Sequence, residues 1–495
     1  MGHDHEHNRV FHGLTPTELW HHFGHITEIA RPSGKEERMA EYVIQHAKSL
    51  GLATERDAVG NLVVRVPASP GREKAPTIVL QGHLDMVCEK DPASPYDPEQ
   101  GRIHVVKDGD WLTAEGTTLG ADNGIAIATM LALAGDKAVK HGPLELLMTI
   151  DEETGMTGAS GLDPKLLSGR MMINLDSEDE GILFVGCAGG RDVKHTFKAA
   201  RSAAPSGWLA LQVTVGGLKG GHSGLEINSN RLNAIRALAR VLNEGGKGAA
   251  YRIATIDGGN KRNAIPRDAR AVVFVQAAGE AAFRAGVEAA RQELAEHYKG
   301  LDDGLRIAVG APENAAAASG GAFAEADSRR LVDLLRATPT GVIAMSMDIK
   351  GLVESSTNLG VITTDGDTVE IANLARSSNG PALQDIVDQL LAVARLAGVE
   401  ATDLGGYPGW KPDMSSRSLA ATKRTFEKLY GKVPEITAIH AGLECGLIGD
   451  RVPGMDMVSF GPDIRGVHAP GEKVHAASAG RFYDLLGAVL DELSA

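Results

Sequence analysis

The feature that most constrains the fold is an alternation of short apolar runs with amphipathic segments in the first part of the chain. TIVLQG is a continuous apolar run bounded by turn signals, which is typical of a buried central strand. ADNGIAIATMLALAG is predicted to be a helix, PLELLMTI a second buried strand and RMMINLD a third. Strands that alternate with helices predict an α/β fold with a mixed, largely parallel sheet flanked by helices.

The pattern changes near Gly186. WLALQVTVGG, YRIATIDGG, ARAVVFVQA and LRIAVGAP predict strands, interleaved with helices near residues 230–243 and 280–298. The tail, with MDMVSFGP and a last helix near residues 479–493, returns to the α/β pattern. We therefore predict a discontinuous catalytic domain, formed by residues 1–190 and 401–495, around an inserted α+β lid domain at residues 191–400.

Charge and composition exclude several classes of partner. The net charge is −14, and no basic stripe is present, which argues against nucleic acid and anionic membranes as partners. No apolar run is long enough to cross a bilayer, and the start MGHDHEHNRV lacks the apolar core of a signal peptide. The three cysteines form no CxxC pair, so a cytoplasmic location is expected. His3, His5 and His7 are typical of a weakly metal-binding tail rather than a defined site.

Five side chains of metal-ligating type stand at turns or directly after predicted strands. His83 follows TIVLQG, Glu153 follows PLELLMTI, and Asp176 ends RMMINLD. Asp122 lies in TLGADNG and His468 in GVHAPGE. Open α/β sheets carry their sites at the carboxyl ends of strands, so three of these residues are predicted to meet on one rim. Two imidazoles and three carboxylates suit zinc, and they can hold two ions if one carboxylate bridges them.

Each of these signals has an ordinary explanation when it is taken alone. A histidine after a strand is usually hydrogen-bonded within the protein, and Asp-Asn-Gly is usually a turn. Asp151, Glu152 and Glu153 would usually form a solvated charge cluster. They directly follow a buried strand, however, where neighbouring carboxylates repel unless a cation neutralises them. The combination, with each member at the end of an element, favours a two-metal site.

The same motifs carry a family resemblance. HLDMV, GADNG, EETG, NLDSE and a late histidine resemble the co-catalytic zinc peptidases, which include carboxypeptidase G, aminoacylase and the carnosinases. GTTLGADNGIAIA, GLKGGHSG, RNAIPR, IHAGLECG and VHAPGEKVH are similar to the bacterial aminoacyl-histidine dipeptidases, over nearly the whole chain from about Leu19. The resemblance implies two Zn²⁺ per active site, with ligands that Mn²⁺ and Co²⁺ also accept.

The resemblance also implies a role for each ligand. Asp122 bridges the two ions. His83 and Asp176 complete one metal, and Glu153 and His468 complete the other.

Further catalytic residues follow from the same resemblance. Glu152 is the general base that activates a metal-bridging water, and Asp85 orients the imidazole two residues before it. The peptide bond between Asp122 and Asn123 is expected to be cis. His222, in GGLKGGHSG, is expected to donate to the oxyanion from the lid, although the residues alone leave open that it caps a helix starting near Ser229.

The residues that bind the substrate are less sharply indicated. A free peptide carboxylate needs a cation or several donors, and the candidates are Arg376 in NLARSSNG, Arg262 and Asn263 in GGNKRNAIPR, and Asn358 in ESSTNLG. Glu444, in HAGLECG, is a candidate for the peptide's amino group. Each of these residues has a structural alternative, such as strand pairing or helix capping.

The expected function is hydrolysis of unblocked dipeptides, preferentially Xaa-His dipeptides including carnosine. The alternatives are a tripeptidase or an acylamino-acid amidohydrolase of the same clan, and a non-catalytic binding protein with this fold. The long middle domain argues against the short-lid enzymes, and the presence of Glu152 and all five ligands argues against a binding protein. A nucleotide-binding enzyme is excluded because no phosphate-binding glycine motif is present. Both a monomer and a homodimer are compatible with the sequence, so His222 is expected to act either in its own chain or in a neighbouring subunit.

Overall fold

The computed structural model describes residues 7–314 and 320–495, so His3 and His5 lie outside the described residues. The chain divides into two compact units. Unit 1 comprises Met1–Gly186, Pro412–Ala438 and Leu443–Ala495, and unit 2 comprises Cys187–Lys411 and Ile439–Gly442. The chain returns to unit 1 later than position 400 because the strand Glu400–Tyr407 pairs with Gly189–Lys198 inside unit 2. The short second segment of unit 2, Ile439–Gly442, was not predicted from the sequence.

A mixed sheet forms the centre of unit 1. Its strands, as far as the described residues show, run in the spatial order Ala53–Arg56, Leu62–Val66, Leu144–Thr149, Ile78–His83, Met171–Asn174, Asp456–Ser459, Ile182–Cys187 and Glu435–Ile439. The four middle strands, from Leu144–Thr149 to Asp456–Ser459, are parallel to one another, and antiparallel strands flank them on both sides. Every residue of Ile78–His83 and Leu144–Thr149 is buried, as the continuous apolar runs predict.

Helices and a small second sheet complete unit 1. The helices are Thr17–Ile26, Glu37–Ser49, Ala121–Gly135, Glu152–Gly155, Thr157–Gly161, Arg417–Tyr430, Glu444–Arg451 and Ala476–Ser494. The second sheet contains Val105–Asp108, Trp111–Ala114, Lys473–His475 and Ile464–Arg465. Among the described helices of the whole chain, none combines the length and the apolar character that crossing a bilayer requires.

Unit 2 is built on a large antiparallel sheet. Its strands follow the order Arg306–Gly310, Trp208–Gly216, Ala269–Gln276, Tyr251–Gly258, Val353–Asp365, Thr368–Ser377, Gly189–Lys198 and Glu400–Tyr407, with Gly341–Met345 added alongside Val353–Asp365. Its helices are Ala234–Gly248, Glu280–His297, Glu325–Ala337 and Gly380–Leu396. Two short pairings, Gly221–His222 with Ala264–Ile265 and Arg201–Ser202 with Ala322–Phe323, complete the unit. The four strands named for this region from the sequence are all present, and the fold is the mixed α/β and α+β architecture that was expected.

Candidate metal centre

The carboxyl ends of the parallel strands in unit 1 carry the predicted ligands. His83 is the last residue of Ile78–His83 and is almost fully buried. After Leu144–Thr149 the chain turns through Asp151, whose φ of 54° is left-handed, and this turn starts the short helix that begins at Glu152. Asp176 lies two positions after the end of Met171–Asn174. Parallel strands end at the same edge of a sheet, which explains why residues far apart in sequence meet here.

Asp122 faces two histidines at once. Its Oδ1 lies 3.1 Å from His83 Nε2, and its Oδ2 lies 3.2 Å from His468 Nε2. His83 Nε2 is also 3.3 Å from Asp176 Oδ1, and His468 Nε2 is 2.9 Å from Glu153 Oε2. Two sets of three donors therefore share one carboxylate. This is the arrangement that a metal-bridging aspartate requires.

Asp85 fixes the surroundings of this cluster. One of its carboxylate oxygens is 3.3 Å from His83 Nδ1, so the imidazole presents Nε2 to Asp122 and Asp176. The same carboxylate accepts hydrogen bonds from the backbone N–H groups of Glu152 and Glu153, at 3.1 and 3.2 Å. Asp85 thus orients both the histidine and the start of the helix that carries the two glutamates. The peptide bond between Asp122 and Asn123 is cis, as the resemblance implies.

The charges of the cluster depend strongly on one another. Burial alone would lower the pKa of His83, but the carboxylates of Asp176 and Asp122 raise it well above its usual range. Hydrogen bonds to Asp122 and Glu153 raise the pKa of His468 to about 11. Burial, together with the charges of Asp122 and Glu153, raises the pKa of Asp176 to about 7. Buried carboxylates and imidazoles that have to share protons in this way provide the negative charge that a divalent cation neutralises.

The donor set fits metal ions in other respects. Within the part of the chain that the structure describes, the groups of three or more close ligand atoms are His83–Asp122–Asp176, Asp122–Glu153–His468 and His83–Glu152–Glu153. Glu153 Oε1 is buried and has no hydrogen-bond partner among the described residues. Two imidazoles and three carboxylates with an unused oxygen suit zinc and similar ions. The structure brings together all five ligands that the sequence nominates, and Glu152 and Asp85 with them.

His222 belongs to unit 2, in the short strand Gly221–His222. Its Nδ1 accepts hydrogen bonds from the backbone N–H groups of Gly224 and Leu225, at 3.2 and 3.1 Å. Burial, and next the charge of Arg376, lowers the pKa of His222, which favours the neutral ring. Because Nδ1 accepts, the neutral ring carries its proton on Nε2. His222 therefore caps its own turn rather than a helix near Ser229, and its Nε2–H is a donor.

Arg376 is part of a cluster of positively charged and imidazole groups in unit 2. Its Nη1 donates to the Tyr407 hydroxyl at 2.9 Å, and its buried Nε has no partner in the described residues. His440, which sequence reasoning missed although it stands in the quoted motif IHAGLECG, lies with Nε2 2.7 Å from Ser356 Oγ. Burial, and then Arg376 and His222, lowers the pKa of His440 to about 3. Arg376 is the charged member of this group, because the lowered pKa values of His222 and His440 favour their neutral rings.

The other residues proposed to bind the substrate have structural roles. Asn358 Nδ2 donates to the carbonyls of Arg262 and Ala264, at 2.9 and 2.8 Å, and so holds the strand that pairs with His222. Asn263 has an exposed side chain and accepts a hydrogen bond from Ser223 through its backbone carbonyl. The Arg262 guanidinium is 3.1 Å from the carboxylate of Asp192.

Glu444 stands at the start of a helix, close to the strands that carry the candidate ligands. It begins the helix Glu444–Arg451 and is fully buried. Its Oε2 accepts hydrogen bonds from Gln81 Nε2 and Thr149 Oγ1, both at 2.6 Å. Glu444 thus ties two central strands together through Oε2, while its buried Oε1 has no hydrogen-bond partner among the described residues. Its role toward a peptide's amino group stays a prediction.

Comparisons with known proteins show the family to which the chain belongs. The model of a peptidase family, M20/M25/M40, matches residues 79–492. The chain is 43% identical over 487 residues to the cytosol non-specific dipeptidase of Escherichia coli (strain K12), covering 97% of this chain and 99% of that protein. The crystal structure of the aminoacylhistidine dipeptidase from Vibrio alginolyticus superposes with a TM-score of 0.91 at 41% identity, covering 97% of each chain. The aminopeptidase PepT from Bacillus cereus, at 16% identity and a TM-score of 0.57 over 97% of this chain and 100% of its own, shares the fold. The chain belongs to peptidase family M20/M25/M40.

Proposed function

We propose that this member of the family is a cytoplasmic dipeptidase that hydrolyses unblocked dipeptides, with Xaa-His dipeptides such as carnosine among its preferred substrates. The observation that carries the proposal is the carboxylate of Asp122, whose two oxygens face His83 and His468. The names of two relatives support the substrate class, since one is a non-specific dipeptidase of the cytosol and the other an aminoacylhistidine dipeptidase.

The donors favour two zinc ions. His83, Asp122 and Asp176 would hold one, and Asp122, Glu153 and His468 would hold the other. When bound, such a pair of ions supplies a water of lowered pKa and polarises the scissile carbonyl. Mn²⁺ and Co²⁺ accept the same ligand types.

Glu152 is proposed as the residue that moves protons. It has His83 and Glu153 as close neighbours, and burial together with the charge of Asp176 raises the pKa of its carboxyl group well above its usual range. A carboxylate with a raised pKa takes a proton from water and returns it to the departing amine more readily than an ordinary glutamate. The hydrogen bond from the Glu152 N–H group to Asp85 holds the start of this helix in place.

Unit 2 is proposed to supply the remaining groups. His222 offers Nε2–H, which suits it to stabilise the negative charge that develops on the carbonyl oxygen. Arg376 is the proposed partner of the peptide carboxylate, because its Nε is unpaired among the described residues. Asn358 and Asn263 support this region by holding the segment that pairs with His222.

The test is metal removal followed by a substrate panel. Treatment with a strong chelator should abolish dipeptide hydrolysis, and Zn²⁺, Mn²⁺ or Co²⁺ should restore it. The reason is that the proposed mechanism needs the metal ions to lower the pKa of the attacking water. Xaa-His dipeptides and carnosine should be cleaved, whereas N-acetylated or C-amidated forms should be poor substrates. A lost terminal charge leaves its partner unpaired, at a cost of about 1–3 kcal/mol or more. Full activity without metal, or faster cleavage of tripeptides or acylated amino acids, would contradict the proposal.

A further inference from the structure

Three separate segments of unit 1 contribute His83, Asp122 and His468 to the candidate metal site. The first is the end of the strand Ile78–His83 with the residues that follow it, the second is the turn at 119–122, and the third is the loop at 468–472. The hydrogen bonds among the proposed ligands are few and long. Other side chains therefore hold the three segments in place relative to one another. Two fully buried charged residues, Glu472 and Arg31, do so.

Glu472 links the second and third segments. It is 2% exposed, and its Oε2 accepts from the N–H groups of Leu119 and Gly120, at 2.8 and 3.0 Å. Its Oε1 accepts from those of Ala121 and Asp122, at 2.7 and 3.3 Å. These N–H groups belong to the start of the helix Ala121–Gly135, where the N-cap residue Gly120 has no side chain to cap them. One carboxylate, four residues after His468 in the chain, therefore fixes the backbone of Asp122.

Arg31 links the first and second segments. It is 1% exposed, and its Nη1 donates to the carbonyls of Leu84 and Asp85, at 3.1 and 2.6 Å. Its Nη2 donates to the carbonyl of Gly120. The space for the guanidinium depends on glycine, because a Cβ on Gly120 would lie 2.6 Å from Nη2. The planar guanidinium can serve carbonyls in two segments, which a lysine ammonium does less well.

We propose that Arg31 and Glu472 are positioning residues that set the place of the Asp122 carboxylate between His83 and His468, and so set the affinity of the site for metal. Glu472 holds the N–H groups of the turn, and Arg31 holds its carbonyl. A purely stabilising role would not need charged residues here. Burying a charge is costly, and apolar side chains in place of buried charged ones often stabilise a fold equally well. The inference rests on the proposed function, because it assumes that the cluster around Asp122 binds metal.

The test compares metal affinity in matched variants. Glu472→Gln has nearly the same shape but places an amide N–H₂ against backbone N–H donors, so it should displace the turn. We expect the affinity for Zn²⁺, measured by competition with a chromophoric chelator, to fall about 10- to 100-fold, the usual effect of removing a residue that orients ligands. The visible spectrum of the Co²⁺-loaded protein should change as well. Arg31→Lys should act in the same direction, and it carries the test if Glu472→Gln does not fold.

Glu145→Gln is the matched control. Glu145 is also 2% exposed, lies in the same unit, and accepts hydrogen bonds from the backbone N–H groups of Ser168 and Gly169. It lies near the start of Leu144–Thr149, at the other end of the strand from Glu152 and Glu153. Glu145→Gln should lower the unfolding temperature without changing Zn²⁺ affinity. Glu472→Gln and Arg31→Lys proteins that fold and bind Zn²⁺ like the wild type would overturn the inference, whereas a wild-type protein that binds no Zn²⁺ would overturn the proposed function instead.

Discussion

Glu152 and Glu153 are adjacent in the chain, yet their carboxylates have different surroundings. Glu153 Oε2 is 2.9 Å from His468 Nε2, and its buried Oε1 has no partner among the described residues. Glu152 instead lies beside His83, and its carboxyl group has a pKa raised by burial and the charge of Asp176. At the scale of single residues this difference is the reason for proposing Glu153 as a ligand and Glu152 as the general base.

We predict that Glu152→Gln and Glu153→Gln fail in different ways. Glu152→Gln should retain its metal and lose turnover by about 10²- to 10⁴-fold, the range of general base catalysis, because only the proton acceptor is removed. Glu153→Gln should bind metal more weakly, because an amide is a poorer ligand than a carboxylate. Metal analysis of both purified variants, together with kcat, checks the assignment. Metal loss in Glu152→Gln with normal metal content in Glu153→Gln would reverse the two roles.

The five ligand candidates could be predicted because each one stands at the end of an element that is readable from its apolar pattern. The positioning role of Glu472 was not predicted. Its partners are backbone N–H groups about 350 residues earlier in the chain, and the pattern of side chains in the sequence does not indicate such backbone contacts. Arg31 was missed for the same reason, because its partners are carbonyls. The complete burial of Glu444 was not predicted either, because the glycines on both sides of it in the sequence give no sign of the strands that pack around it.

At the scale of elements, the two N-terminal helices of unit 1 pack through histidines. In Thr17–Ile26, His22 is buried with its ring centroid 4.4 Å from that of His46 in Glu37–Ser49. Its Nδ1 lies 2.9 Å from the Tyr42 hydroxyl, and His21 and His25 are neighbours on its own helix. Burial, and next the charges of His46, His21 and His25, lowers the pKa of His22 from 6.5 to about 3.

We predict that this helix contact makes the protein less stable in acid. Between pH 6.5 and about 3 the unfolded chain binds a proton at His22 that the folded chain does not bind. The unfolding free energy that the neutral His22 ring contributes is therefore fully present above pH 6.5. It is lost as the pH falls, by at most about 1.4 kcal/mol per pH unit. Urea unfolding of chelator-treated protein at pH 7, 6 and 5 should show a shallower pH dependence for His22→Gln than for the wild type.

The control for this experiment is His12→Gln, which replaces an exposed histidine near the same end of the chain. It should leave the pH dependence of the unfolding free energy unchanged. Equal slopes for His22→Gln and the wild type would show that His22 takes up its proton at the same pH in the folded and unfolded chain.

The existence and type of these elements could be predicted more closely than their ends. The last helix was expected near residues 479–493 and is Ala476–Ser494, and the helix expected near residues 230–243 is Ala234–Gly248. In the second case Asn233 caps the helix by accepting from the N–H groups of Ile235 and Arg236. Several polar residues precede this apolar pattern, so composition alone does not identify the one that caps.

At the scale of the whole molecule, the two units carry different parts of the proposed chemistry. The candidate metal ligands, Glu152 and Asp85 all belong to unit 1, whereas His222, Arg376 and His440 belong to unit 2. A two-part organisation was expected from the change of pattern near Gly186. The return of the chain at Pro412 and the brief passage at 439–442 depend on tertiary contacts that a local pattern does not contain.

This division predicts that a change in unit 2 alters turnover without altering metal content. His222→Ala should lower kcat by about 10²- to 10³-fold, the effect expected for one oxyanion donor. KM should change little, because the donor meets charge that exists only in the transition state. Metal content should equal that of the wild type, since every candidate ligand lies in unit 1.

His440→Ala, in the same unit, is a matched comparison. The His440 Nε2 is already bonded to Ser356, whereas the described residues give only the His222 Nδ1 hydrogen bonds and leave its Nε2–H as a donor. A loss of metal in His222→Ala would make His222 a ligand, and normal turnover would assign the oxyanion donor to another residue. A kcat that falls while metal content stays constant is the result that the neutral, Nε2-protonated ring of His222 predicts, because such a ring can donate a hydrogen bond but holds no ion in place.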